Sequence, residues 1–256
     1  MKRGHRLKLL VLPAGILAVW WVGSAARLWN AYILPGPGQV WRSFIAMAHS
    51  GELTQNIAAS LARVGVGFAI AFVLAFLLGT LAGVLPRLTV WYDPVVEFLR
   101  HVPPLSLIPL LILWFGIGET SKIIIIVLAS FFPMFLDIRK GFARCDRKLL
   151  EVGRTLGLSG RARFFRIMLP CAFPDILVGM RIGLGYSWRA IIGAEMIAAA
   201  SGLGYMILDA QQLSRSDKVI VGILVIGIVG CLCDFLLNRL IARLVRGGVH
   251  DGGYPD

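Results

Sequence analysis

From Val64 to Leu85 the chain runs for 22 residues without one charged side chain. About 20 residues of α-helix cross the hydrocarbon of a bilayer, where only helices and closed barrels satisfy every backbone N–H and C=O. Five other apolar stretches follow the same rule, so six spans are placed at approximately 9–27, 62–85, 102–117, 121–138, 175–199 and 218–238. Composition agrees: 57% hydrophobic residues, 16% charged residues and a mean hydropathy of +0.78 lie far from a soluble domain. The expectation is an all-α, polytopic membrane protein with one domain over 1–256.

Within this frame the spans differ. Gly79-x-x-x-Gly83 gives the second a small-residue face for close helix packing. Pro103, Pro104 and Pro109 predict a kinked or late-starting third helix, and Gly116-Ile117-Gly118 predicts a tight turn into the fourth. The first run follows Lys2, Arg3, Arg6 and Lys8, as in a signal peptide. It is long and Trp-rich and lacks an A-x-A exit, which favours a retained span.

The net charge of +12 does not imply nucleic acid, because the basic residues sit between apolar runs without interleaved aromatics. Topology explains it. With the N-terminus inside, eighteen Lys and Arg residues fall in cytoplasmic pieces, among them Arg87, Arg100, Arg239, Arg243 and Arg246. Only Arg27, Arg42, Lys122, Arg215 and Lys218 fall outside, so both termini are expected in the cytoplasm. The loop 139–170 carries half of the inner charges.

That loop is patterned. Asp146 is placed to cap a helix with Leu149, Val152 and Leu156 at i, i+3 and i+7, and Gly157 suits the left-handed residue that ends it. Ser159 is placed to start a second short helix carrying Phe164, Phe165, Ile167 and Met168 up to Pro170. The two helices form an amphipathic knob, whose apolar side chains face either a partner protein or lipid headgroups.

Glu151, Val152, Gly153, Gly157, Ile167, Leu169 and Pro170 follow E-(A/V)-(A/G)-x3-G-x9-I-x-L-P. This resembles the cytoplasmic coupling motif of permease subunits of ATP-binding-cassette (ABC) importers, with Val152 where Ala is commonest. Leu34-Pro35-Gly36-Pro37, Pro103-Pro104-Leu105, Leu113 to Gly118, and Ala194-Glu195-Met196-Ile197 before Gly202-Leu203-Gly204 are similar to the nitrate, sulfonate and taurine branch. The resemblance implies a type I ABC importer permease of the bacterial inner membrane. Its implied partners are two copies of an ATPase subunit, a second permease copy, an extracytoplasmic solute-binding protein and lipid. ATP and Mg would serve the ATPase, with no cofactor or catalytic residue in this chain, which contains no G-x-x-x-x-G-K-[ST]. The motif residues would dock the ATPase, Gly153 and Gly157 through size and backbone conformation and Glu151 through a fixing hydrogen bond or ion pair. The cargo would be a small anionic or zwitterionic solute such as an aliphatic sulfonate, taurine or nitrate.

Charges in the fifth span are candidates for the pathway or for interhelical pairing. Arg181 and Glu195 lie about 40° apart in azimuth but about 21 Å apart along a helix, while Arg189 and Glu195 are separated by about 120°. They cannot simply neutralise one another. Arg181 is expected to snorkel to the inner interface and Glu195 to reach the outer one. Arg189, deep in the bilayer, would attract an oxyanion or pair with Glu195 of a partner copy or with another helix. Gly179, Gly183 and Gly185 permit close contacts on the same span.

Other chemistry is weakly marked. His5, His49, His101 and His250 fall at ends or loops and make no metal cluster, while Cys145, Cys171, Cys231 and Cys233 lack disulfide or zinc spacing. Asp137 and Asp234, at inner span ends, read as interfacial ion-pair partners. The segment 27–60, with an amphipathic helix through Trp41 and Phe44, reads as an outer platform or a solvated connector. The competing class is a stand-alone secondary carrier or channel using the fifth-span charges. Against it stands the lack of an inverted repeat.

Overall fold

The computed structural model describes residues 3–246; Lys2 and His250 lie outside the described residues. The helices are α1 (Arg3–Ala25), α2 (Pro37–His49), α3 (Glu52–Val84), α4 (Thr89–His101), α5 (Ile108–Phe115), α6 (Glu119–Ala143), α7 (Arg147–Thr155), α8 (Gly160–Arg163), α9 (Leu169–Ala198), α10 (Leu203–Gln212) and α11 (Ser216–Arg246). No strand occurs among the described residues. Among the described residues, four helical runs are long and apolar enough to span a membrane: α3, α6, the continuous run Gly160–Ala198, and α11. A broken pair, α4 with the segment Pro104–Phe115, bends by 87°, and α1 supplies the shorter apolar stretch Val11–Ala25.

Three of these, α3, α6 and α9, make the centre. Along α3, Gly67, Ala71, Ala75, Gly79 and Gly83 recur every fourth residue and form a stripe of small side chains. A Cβ on Gly67 would lie 2.6 Å from Ile126, and one on Gly79 would lie 2.8 Å from Ile138. The stripe therefore lets α3 and α6 approach to backbone distance, the arrangement that polar-free association in lipid favours. Gly79-x-x-x-Gly83 performs the expected packing. Gly179 and Gly183 of α9 likewise face Met134 of α6, whereas Gly185 lies beside its own neighbour Arg189.

Two ends of the bundle can be distinguished. At one, the ends of α3 and α6 and the start of α9 meet through Phe142 and Ala172, next to α7 and α8. This is the knob end. At the far end, Lys218 of α11 pairs with Glu52 of α3 at 2.8 Å, and Ser43 of α2 bonds the buried Asp217. Helix α2 thus docks on the bundle through α11, and Glu52–Ser60 belong to α3.

The third expected span, 102–117, is corrected. Only Ile108–Phe115 is α-helical there, preceded by a 3-10 turn at Pro104–Leu107. Pro103 and Pro104 withhold two N–H groups, so α4 stops at His101 and the chain turns sharply. Arg100, expected in an inner loop, therefore sits at this break beside the middle of α6. The second helix of the knob is corrected too. It does not end at Pro170 but passes through a π turn, Phe164–Met168, directly into α9. A π turn shifts hydrogen bonding to i+5 and so accommodates the N–H that Pro170 lacks.

Candidate functional site

The knob is built from local rules. The Asp146 carboxylate accepts from the Lys148 N–H at 2.9 Å and starts α7, and the Ser159 hydroxyl accepts from the Ala162 N–H at 3.2 Å and starts α8. Between them Gly157 adopts φ +72°, and its N–H donates to the Arg154 carbonyl at 3.0 Å while Leu158 N–H donates to the Gly153 carbonyl at 2.9 Å. This paired closure is the Schellman arrangement that left-handed glycine permits.

Packing then fixes α7 on the segment that follows. Gly153 is buried, and a Cβ there would stand 2.8 Å from Ile167 Cδ1 and 3.3 Å from Arg163. Phe164 stacks on Phe142 with centroids 5.8 Å apart, and Leu169 packs on the α3–α6–α9 core. Ile167, Leu169 and Pro170 therefore tie the knob to α9. The opposite face of α7 is uncovered: Leu149 and Val152 are 53% exposed and Leu156 73%. Glu151 is exposed and makes no hydrogen bond or ion pair within the chain among the described residues, so the expected fixing bond inside the knob is absent.

At the far end lies a second constellation, centred on a residue the spacing argument passed over. Arg63 of α3 donates from Nη1 to Glu195 at 2.7 Å and to the Ser201 carbonyl at 2.6 Å. Its Nε and Nη2 grip Glu119 of α6 at 2.7 and 2.9 Å, and Lys122 reaches the same carboxylate at 2.7 Å. Glu195 also accepts from the Ser60 hydroxyl at 2.8 Å and from the Gly204 N–H at 3.0 Å. Asn56 accepts from the Gly202 N–H at 2.7 Å, where the backbone has φ +115°. Asn56, Ser60 and Arg63 recur at i, i+4 and i+7, a polar stripe within an apolar helix that is visible in the sequence.

This constellation revises the fifth-span expectations. Glu195 lies near the far end of α9, as expected, but is fully buried there. It is bonded inside its own chain, so it is not available to Arg189 of a second copy. Arg181 pairs with Asp234 of α11 at 3.1 Å, which gives Asp234 its ion-pair role. Arg189 stands apart: its Nε donates to the Gly185 carbonyl at 3.0 Å and its guanidinium covers the Tyr186 ring, 5.0 Å from the centroid. Among the described residues it has no carboxylate partner.

A helical membrane bundle with an amphipathic knob at one end is a shape that comparison can test. Residues 71–247 match the family of binding-protein-dependent transport system inner membrane components. The chain belongs to this family. It is 38% identical over 245 residues to the protein named as an aliphatic sulfonates transport permease, SsuC, of Bacillus subtilis (strain 168), covering 96% of this chain and 89% of that one. The permease of the same name from Escherichia coli (strain K12) is 43% identical over 235 residues, covering 91% and 89%. In fold, the permease is similar to a chain of an amino acid ABC transporter solved with histidines, with a TM-score of 0.64 at 16% identity, covering 79% of this chain and 97% of that one. The chain is thus the membrane-spanning permease subunit of an ABC importer, whose family implies ATPase and solute-binding protein partners. The stand-alone carrier reading is not favoured.

Proposed function

We propose that this permease admits a small organosulfonate, taurine included, and that its knob transmits the force of ATP hydrolysis in a separate subunit. The observation that carries the cargo is the 43% identity, across nearly the whole of both chains, to a protein named for aliphatic sulfonates. The coupling half rests on the exposed apolar ridge of Leu149, Val152 and Leu156, held rigid by Gly153 against Ile167. Exposed ridges of this kind, rimmed by Arg147, Lys148 and Arg154, fit a cleft on a partner protein. Glu151, unpaired among the described residues, supplies a carboxylate to that partner.

In this reading two permeases enclose the pathway, two ATPases with ATP and Mg receive the two knobs, and the solute-binding protein delivers at the far end. The knob and both termini face the cytoplasm, as the lysine and arginine distribution favours. No ATP site of its own is needed by this chain. The test is ATP-driven ethanesulfonate uptake by the assembled importer with Glu151→Lys or Gly157→Asp in the permease. Both variants should insert normally and transport poorly. Normal transport by both, with ATPase bound, would reject the coupling role.

A further inference from the structure

At the break between α4 and α5 the molecule has a cavity of about 360 Å³. Arg100 and His101 line it from the break, Leu128, Phe132 and Leu136 from α6, and Tyr186 from α9. Leu128 lies nine residues from the start of α6 and Leu136 seven from its end, so the cavity sits about 10 Å or more from either end of that helix. It lies level with the middle of α6.

Its charge is unusual for that depth. Arg63, Arg139 and Arg181 each find a carboxylate inside the chain: Glu119 and Glu195, Asp93, and Asp234. Arg189, which covers the cavity's Tyr186, finds none among the described residues. Among the described residues Arg100 is matched only by Glu97, three residues back on its own helix, in an exposed pair. An unmatched guanidinium at mid-depth is expensive, and such groups face a partner or a water-filled route. Tyr186 and Arg189 are exposed, so this surface is not covered by the chain's own helices. Pairing with Glu195 of a second copy is removed by the burial of Glu195.

We propose that this cavity is the cargo's resting place within the membrane, where Arg100 of its lining and Arg189, which reaches it over the ring of the lining Tyr186, hold a sulfonate headgroup and the apolar wall holds its short alkyl chain. The inference rests on the organosulfonate importer reading and places its cargo. A sulfonate stays ionised and offers three acceptor oxygens, which suits the planar donor fork of a guanidinium. Leu128, Phe132 and Leu136 give the carbon chain a dry surface and disfavour a bare, strongly hydrated inorganic anion.

The test uses the complete importer, with its ATPase and binding protein, in proteoliposomes loaded with ATP, and labelled ethanesulfonate as the probe. Arg189→Gln should lower uptake at saturating ethanesulfonate by about tenfold or more, the loss expected for a charge-assisted contact. Arg100→Gln should lower it less, because Glu97 already shares that guanidinium. Basal ATP turnover and the mass of the assembly should stay unchanged, and Arg189→Lys should recover part of the uptake. Wild-type uptake by both glutamine variants would overturn the site while leaving the importer reading intact. Dissociation of the permease pair by Arg189→Gln would overturn it in favour of a bond between subunits. If the unaltered importer moved no ethanesulfonate, the organosulfonate reading would fall and the site with it.

Discussion

Arg63 Nη1 and Glu195 Oε1, 132 residues apart in sequence, lie 2.7 Å apart with their side chains 7% and 0% exposed. The pair joins α3 to α9, and Glu119 extends it to α6. Breaking such a buried pair from one side leaves an uncompensated charge and costs about 3–5 kcal/mol. Arg63→Met should therefore lower the thermal midpoint in detergent sharply. Glu195→Gln should lower it less, because Arg63 keeps Glu119. The double variant should lose less than the sum of the two, and simple additivity in that cycle would show that the pair is not coupled.

The small-residue stripe on α3 predicts a contrast within one helix. Gly79→Leu must push into Ile138 and the Phe135 carbonyl, whereas a Cβ on Gly65 meets nothing within 4 Å. Overpacking of this kind costs about 1–3 kcal/mol or more. Membrane levels and thermal stability should fall for Gly79→Leu and hold for Gly65→Leu. Equal effects would contradict the close α3–α6 approach.

Size and backbone conformation separate the two glycines of the knob. Gly153→Ala meets only the movable end of Ile167 and the flexible stem of Arg163 and should retain most ATPase binding, while Gly153→Leu should prise α7 off its support and lose it. Gly157 has open space but φ +72°, so the uncharged Asn should be tolerated there, Asp should fail through its charge at the ATPase contact and not through strain, and Val should cost about 1–2 kcal/mol of local strain. The amount of ATPase recovered with each purified variant checks both orderings.

Cys145, just before α7, is buried, and burial together with the neighbouring Cys171 thiol pushes its pKa up to about 11. The thiolate is the reactive form, so labelling by a maleimide at pH 8 should be slow, with roughly one thiol in a thousand ionised. It should rise about tenfold per pH unit until pH approaches 11. Fast labelling at pH 8 would mean that the start of the knob opens readily.

Local signals carried much of this structure in the sequence. Asp146, Gly157 and Ser159 mark the knob because caps and left-handed turns depend on single residue types, and Gly79-x-x-x-Gly83 marks a helix face because spacing alone aligns it. The far-end network was harder to read, since Glu195 is neutralised by Arg63, 132 positions away, a pairing no periodicity within α9 reveals. Its one local trace is the stripe Asn56, Ser60 and Arg63. The proline cluster after His101 announced a break, but no local signal gives its 87° angle or brings Arg100 beside the middle of α6.

The most direct test of the central claim is a gentle detergent purification of this permease from its native membrane, with mass spectrometry of its companions and an ATPase assay on the assembly. The account predicts an ATP-binding subunit in the complex, lost on Gly157→Asp while the permease remains folded and inserted. A homogeneous chain without ATPase activity that still moves ethanesulfonate into liposomes would contradict it.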